Sequence, residues 1–402
     1  MPKARPTAAL IAVAVAAFYI GSLTQFHWGG FAPNWVKAAL FYQPPRSDLD
    51  YSGLNEVFTT VHDHYINPNL DGRKLTEGAA SGMVSSLGDQ FSRYLTPDQY
   101  KSNQTFLSGT FAGIGASVLQ KGAQIQLASI MPNTPAARSG LKVGDVVTAV
   151  DGQSTKGWSA DDAVNHIRGK AGTHVKLRLD RAGQVLEIDL VREIINVPSV
   201  ATHVFDNRVL YIRIFEFGDR TSSEFDQALK DNLKGSVNLV VLDLRENPGG
   251  FVDAANDIIS EFVSSGTSTI LVKRGGKEEV KTVTGNGRAF TNRTVVLLNE
   301  NSASAAEITA GALKDHGRAT LVGVKSFGKG SVQEDFPLRD GDLHLTIAHW
   351  LTPNRHSIDK SGITPDRVVS LAKPTDEYAV DQTPNAYAQD SQLQAALVQA
   401  EG

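Results

Sequence analysis

Ser304, Lys329 and Gln333 share one stretch, residues 294–333, which reads TVVLLNENSASAAEITAGALKDHGRATLVGVKSFGKGSVQ. A serine hydroxyl becomes an acyl-transfer nucleophile when a base takes its proton and N–H groups face the oxyanion that forms. Residues 295–298 are an apolar run expected to form a buried strand, residues 299–301 a turn, and residues 306–313 a helix. A serine in such a strand-to-helix turn exposes its hydroxyl beside the outward-pointing N–H groups of the helix start. Ser302 and Ser304 both lie there, and the plainer alternative is that they only cap the helix.

The base is the next question. His316 is the one histidine of the stretch, and its HGR setting reads as a surface turn that ends the helix. A second apolar strand, residues 320–324, leads instead to Gly328-Lys329-Gly330. Glycines on both sides let the backbone turn tightly and direct the lysine inward. A lysine accepts a proton only when neutral, so burial and apolar neighbours must lower its pKa. Gln333 can hold the amine by hydrogen bonding without adding a charge that raises that pKa. His344, His349 and His356 follow, but no acidic partner pattern accompanies them, so a serine–lysine pair is favoured over a triad. The bland alternative leaves Lys329 on the surface.

The elements around this stretch must position it. Residues 209–215 read as a strand, 219–233 as a helix, and 237–244 as another buried strand. That strand runs into Arg245-Glu246-Asn247-Pro248-Gly249-Gly250, followed by a helix over 251–263. A Pro-Gly-Gly turn that opens a helix presents unencumbered donors. Gly249 or Gly250 is therefore the candidate for one oxyanion donor and Ala305 for the other, against the alternative of a simple helix-start turn. Arg245 is expected to brace the loop through an ion pair. Residues 273–288 read as a hairpin or exposed loop, and 342–351 alternate as a strand. Residues 373–402 read as a polar tail in which Leu393 and Leu397 are spaced for one closing helix.

Two segments, NSASAAEITAGALKD and GVKSFGKGSVQ, resemble the carboxy-terminal processing peptidases, also called tail-specific proteases. The resemblance implies a nucleophile three residues before a glutamate. Glu307 fixes that register and makes Ser304 the nucleophile, with Lys329 its base and Gln333 the supporting amide. Ala306 stands where many relatives carry serine. The Asn247-Pro248-Gly249-Gly250 loop matches the family's oxyanion segment. LGDQFSRYLTPDQY matches the family segment before the recognition module, where Asp89 and Arg93 are expected to be structural. LTPNRHSIDKSGITPD matches a further segment, except that residues 354–356 replace its glycine-containing turn.

Residues 107–194 change texture, with short β-like runs at 112–119, 124–130, 146–150, 175–179 and 185–190. NTPAARSGLKVGDVVTAVDGQS resembles a PDZ signature, residues 159–167 its groove helix, and FAGIGASV its carboxylate loop and edge strand. Backbone N–H groups around Gly113, Ile114 and Gly115 can cradle a terminal carboxylate while the edge strand adds the peptide by β-augmentation. Ile114, Val118, Val164 and Ile167 are the candidates for its apolar pocket.

A length of 402 residues suggests two or three domains, and a net charge of −4 gives no electrostatic case for nucleic acid. The chain has no cysteine, which excludes disulfides, zinc–thiolate sites and thiol catalysis. Lys3 and Arg5 precede an apolar run, residues 8–23, and no charged residue follows until Lys37. Trp28 and Trp35 suit a membrane interface. A signal anchor is expected over residues 1–28, ahead of a cleaved signal peptide, with the bulk of the chain outside the cytoplasm. Residues 29–50 then form a linker. His62 and His64, two residues apart on a helix, do not converge on a metal.

The expected fold is α/β (α+β) multidomain: a helical region at 51–106, a PDZ domain at 107–194 and, as the resemblance implies, a crotonase-like mixed α/β peptidase core at 195–372. The expected activity is that of a serine endopeptidase acting outside the cytoplasm on proteins with free apolar C-termini. No metal or nucleotide cofactor is called for; an adaptor or homo-oligomer is left open as partner. Two rivals stand beside this reading. A non-catalytic PDZ scaffold would bind C-termini and leave them uncut, and a crotonase-like acyl-transfer enzyme would need a CoA-phosphate site, of which the sequence offers no compelling example.

Overall fold

The computed structural model describes residues 51–285, 287–373, 376–378 and 386–398. The expected anchor, residues 1–28, and the linker after it lie outside the described residues. Among the described residues no helix is long and apolar enough to cross a membrane. The chain divides into two compact units at Leu75 and Thr76. In the first lies helix α1 (Tyr51–His64), on which Leu54, Val57 and Phe58 are exposed and His62 bonds its neighbour Asp63 at 2.9 Å. Helix α2 (Gly72–Ser85) begins there and continues into the second unit.

The second unit opens with a short strand, β1 (Arg93–Leu95), inside the region expected to be helical, and helix α3 (Pro97–Leu107). Thr96 starts α3 through a capping box with Gln99, and Pro97 occupies its first turn. The PDZ region follows: β2 (Thr110–Gly113), β3 (Ala116–Lys121), β4 (Gln124–Ile130), the short α4 (Pro135–Arg138) and β5 (Val146–Val150). Then come β6 (Gln153–Ser154), α5 (Ala160–Ile167), β7 (His174–Arg181), β8 (Gln184–Val191) and β9 (Glu193–Asn196). Its sheet runs β3-β4-β5-β7-β8, with β6 beside β5, and β2 pairs separately with β9. Alternation drives this packing: Val175, Leu177 and Leu179 of β7 point into the same core as Ile125 and Leu127 of β4. The run expected over 112–119 breaks into two strands at Gly115. There φ is +77°, and a Cβ would lie 2.3 Å from Thr134.

The remaining chain forms β10 (Val200–Phe205), β11 (Val209–Ile214), α6 (Thr221–Asn232), β12 (Leu239–Asp243), α7 (Val252–Ser260) and the hairpin β13 (Thr267–Lys273)–β14 (Glu278–Thr282). After it come β15 (Arg293–Leu298), α8 (Ala305–Asp315), β16 (Thr320–Gly323), β17 (Ser331–Leu338), β18 (Gly341–Leu351), β19 (Arg367–Val368) and α9 (Ser391–Leu397). One six-stranded sheet runs β10-β11-β12-β15-β16-β19, parallel from β11 onward. Strands β11 and β12 are wholly buried, which explains why they read as continuous apolar runs rather than alternating ones. A second, antiparallel sheet is built on β18. It pairs with β17 along one edge and with β1 and then β13 along the other.

The C-terminal segment differs from the polar tail expected of it. Leu393 and Ala396 of α9 are fully buried, and so is Asp390, whose carboxylate accepts from Leu393 N–H at 2.9 Å and caps the helix. Its polar residues are inside because they have partners. Arg245, also fully buried, pairs with Asp390 at 2.9 Å and donates to Gln392 at 3.0 Å.

Candidate active site

Three loops leave the carboxyl ends of the parallel strands β12, β15 and β16, the usual place for a site on an open α/β sheet. Asp243 stands opposite Leu297 in the register, so the first two loops emerge side by side. They are stitched together. Ser302 Oγ donates to Leu244 O at 2.8 Å and accepts from Asn299 N–H at 2.9 Å; Ala303 N–H donates to Asn247 O at 2.9 Å. Ser302, fully buried, is thus a brace between loops. Glu246 accepts from the side chains of Asn299 at 2.6 Å and Asn301 at 2.9 Å.

Ser304 sits immediately before α8 with φ +55° and ψ −116°, a conformation that non-glycine residues rarely adopt. Gly249 packs directly on it. A Cβ at Gly249 would lie 2.7 Å from Ser304 Cβ and 3.0 Å from Ala305 N. The Gly249 N–H donates to Asn247 Oδ1 at 2.8 Å, so it is already engaged. Among the described residues the N–H groups of Gly250 and Ala305 have no acceptor.

Loop 324–330 brings Lys329. Its backbone is held on both sides: Trp350 Nε1 donates to Lys329 O at 2.9 Å, and Lys329 N–H donates to Glu307 at 2.9 Å. Gly328 and Gly330 let residues 359–362 approach closely; a Cβ at Gly330 would lie 2.6 Å from Asp359 Cβ. Burial lowers the pKa of the Lys329 amine below the ordinary lysine value of 10.5, and Arg93 acts in the same direction against Asp89 and Glu307.

Glu307 joins the two halves of the site. Buried in the first turn of α8, its carboxylate accepts from Ser304 N–H at 3.0 Å, Ser326 Oγ at 2.6 Å, Gly328 N–H at 2.7 Å and Lys329 N–H at 2.9 Å. The backbones of Ser304 and Lys329 bond the same oxygen, Oε2. From the sequence Glu307 served only to set register. The available signal was a carboxylate in the first turn of a helix that carries no other charge until Lys314, a short distance before the loop that bears Lys329.

The Lys329 amine has no hydrogen bond to Ser304 or to Gln333 in this arrangement; it lies over the Phe91 ring, 5.1 Å from the centroid. Gln333 Nε2 donates instead to Ser331 Oγ at 2.9 Å and Thr346 Oγ1 at 3.0 Å. Three of the histidines weighed as partners are engaged elsewhere, while His349 lines the cavity that adjoins Phe91 and Gly328. His316 ends α8 and bonds Thr267 O at 2.7 Å, His344 pairs with Asp335 at 2.5 Å, and exposed His356 lies 4.0 Å from Asp315. The ion pair expected of Arg245 is present twice, to Asp243 at 2.5 Å and to Asp390 at 2.9 Å.

In the PDZ region β3 is an edge strand, and a cavity of about 270 Å³ lies between it and α5. Gly113, Ile114, Val118, Val164 and Ile167 line it, together with Arg168. Gly115 shapes the adjoining turn and is not part of the lining. A free strand edge beside an apolar cavity is the arrangement that β-augmentation requires.

The family profile of peptidase family S41 matches residues 208–369, and that of the PDZ domain matches residues 105–180. The carboxy-terminal processing protease CtpA of Bacillus subtilis is 36% identical over 357 residues, 88% of this chain and 75% of that protein. A probable CtpA-like serine protease of Staphylococcus haemolyticus is 39% identical over 320 residues, 79% of this chain; the chain spans 64% of that relative's length, just under two thirds. A solved structure of a candidate S41 protease from Bacteroides fragilis superposes with a TM-score of 0.52 over 90% of this chain and 99% of that one. At 16% identity it speaks to the fold alone. With this fold, these loops and relatives of this similarity, the chain belongs to peptidase family S41, among the carboxy-terminal processing proteases with a PDZ domain.

Proposed function

We propose that this chain is a serine endopeptidase that recognises free apolar C-termini through its PDZ groove and cleaves through an acyl-enzyme on Ser304. Neutral Lys329 takes the Ser304 proton as Oγ attacks the peptide carbonyl. The N–H groups of Ala305 and Gly250 face the oxyanion, the Gly249 donor being held by Asn247. The lysine's proton passes to the leaving amine as the C–N bond breaks. Water, deprotonated by the same lysine, then releases the acyl group. Gln333 orients the amine once it turns from Phe91 toward Ser304, since catalytic hydrogen bonds in free enzymes often tighten only with substrate bound. The proposed site of action is outside the cytoplasm, with residues 1–28 as anchor.

The observation that carries this reading is the shared Glu307 carboxylate. It fixes the strained Ser304 turn and the half-buried Lys329 loop to one point. The test is cleavage of an unfolded reporter with an apolar free C-terminus by wild type and by folded Ser304→Ala and Lys329→Ala variants, with an amidated reporter alongside. Loss in both variants and slower cleavage of the amidated reporter are expected. Cleavage that survives Ser304→Ala would rule out this nucleophile, and tail binding by a wild type that never cleaves would favour a scaffold.

A further inference from the structure

Residues 88–92 form a tight turn whose own role the steps above leave unassigned. Asp89 accepts from Phe91 N–H at 3.0 Å and from Ser92 Oγ at 2.5 Å. Ser92 Oγ in turn accepts from Thr346 N–H on β18 at 3.0 Å, and β1 extends the turn along β18 with Arg93 opposite His344. The turn is therefore fixed to the hairpin that carries Gln333. Phe91 projects from it and covers the Lys329 amine. On this side lies a cavity of about 720 Å³, lined by Asp89, Phe91, Phe327, Gly328, Thr346 and His349 among others. The same Thr346 holds Gln333, through its Oγ1.

We propose that Phe91 is a positioning residue for the base: in the free enzyme its ring face holds the Lys329 ammonium away from Ser304 and Gln333. This rests on Lys329 being the base. An ammonium over an aromatic face is attracted to it, more strongly where water is excluded. The contact therefore favours the charged, unreactive form, whereas burial of the same amine favours the neutral one. The charged groups around it are Arg93 from β1, Asp89 from the turn and Glu307 from α8. His349, Asp359 and Lys360 line the adjoining cavity. A substrate residue occupying that cavity would contact Phe91, and displacement of the ring would release the amine.

Phe91→Leu keeps the apolar cover and removes the ring face. In the full-length enzyme, with the unfolded reporter, the rising limb of kcat/KM against pH, which reports the free enzyme, should move to lower pH. The rate on the low side of the limb should rise about two- to tenfold, in keeping with the strength of a cation–π contact. Phe91→Tyr keeps the face and should leave the limb where wild type has it. If Phe91→Leu melts early, Phe91→Met supplies the same comparison. A limb unmoved in the aliphatic variants, or moved equally in Phe91→Tyr, overturns the proposal. Lys329→Ala separates the two readings: if it retains the limb, Lys329 is not the base. If it loses the limb while Phe91→Leu leaves it in place, only the role of Phe91 fails.

Discussion

Asp390 is remote in sequence from Ser304, yet Asp390→Ala should weaken the catalytic core substantially. Its carboxylate has no solvent exposure and does three things: it pairs with Arg245 at 2.9 Å, accepts from Tyr378 N–H at 2.9 Å and caps α9 through Leu393 N–H at 2.9 Å. Removing one partner of a buried ion pair costs about 3–5 kcal/mol. The low end applies, because Asp243 remains on the same guanidinium. Loss of a helix cap adds about 1 kcal/mol. Together these amount to about 4 kcal/mol, or a fall in Tm of about 8–16 °C for a core of this size. Urea unfolding followed through Trp350, which is buried, measures the loss directly. Asp390→Asn keeps a capping oxygen and drops the charge, so it should fall between wild type and Asp390→Ala. Arg245 opens the Gly249–Gly250 loop, so kcat should fall with stability while KM for the reporter stays near wild type. A loss below about 1 kcal/mol for Asp390→Ala would refute the reasoning: the buried charge would then be satisfied by Asp243 alone.

Gly249→Ala should lower kcat by about 10²–10³-fold while sparing PDZ binding, because the new Cβ would press on Ser304 and displace the Ala305 N–H, the scale being that of one lost oxyanion donor. Single-turnover kinetics with the reporter checks it, and wild-type kcat would show that the turn tolerates the methyl group. Glu307→Gln places an amide among four donors, leaving at least one without an acceptor, and should lower both Tm and kcat with little change in KM. Arg93→Gln removes a positive neighbour that keeps Lys329 below its ordinary pKa, so the rising limb of activity should move to higher pH. In the proposed mechanism neutral lysine is the active form, so the rate at a fixed pH below the limb should drop. A limb that moves down would reverse the assignment.

The strands under the site were legible because burial on both faces left continuous apolar runs, and the loops because glycine and serine marked where those runs end. The contacts that complete the site were not. Phe91 reaches Lys329, and Arg93 pairs opposite His344, across most of the chain, where no local periodicity reports the contact. Strand β17 escaped notice because its inner face is only partly covered and it contains Pro337, a residue that argues against a central strand. Asp390 and Gln392 looked like surface residues, since a buried carboxylate and its guanidinium are recognisable only as a pair. Gln333 was placed near Lys329 by spacing, but the bulge between Val332 and Gln333 turns its amide toward Thr346.

The tie between Arg245 and residues 390–392 sets an order of events during synthesis. A chain that has emerged as far as α8 and β17 already contains Ser304, Lys329 and Gln333. It still lacks the second carboxylate for the guanidinium at the root of the Gly249–Gly250 loop. A buried arginine with only one of its two carboxylates, Asp243, is less fully compensated, so the loop should be less firmly set until α9 docks. A chain truncated before α9 should therefore carry Ser304, Lys329 and Gln333 on a looser frame, with the Gly249–Gly250 loop the first part to show it.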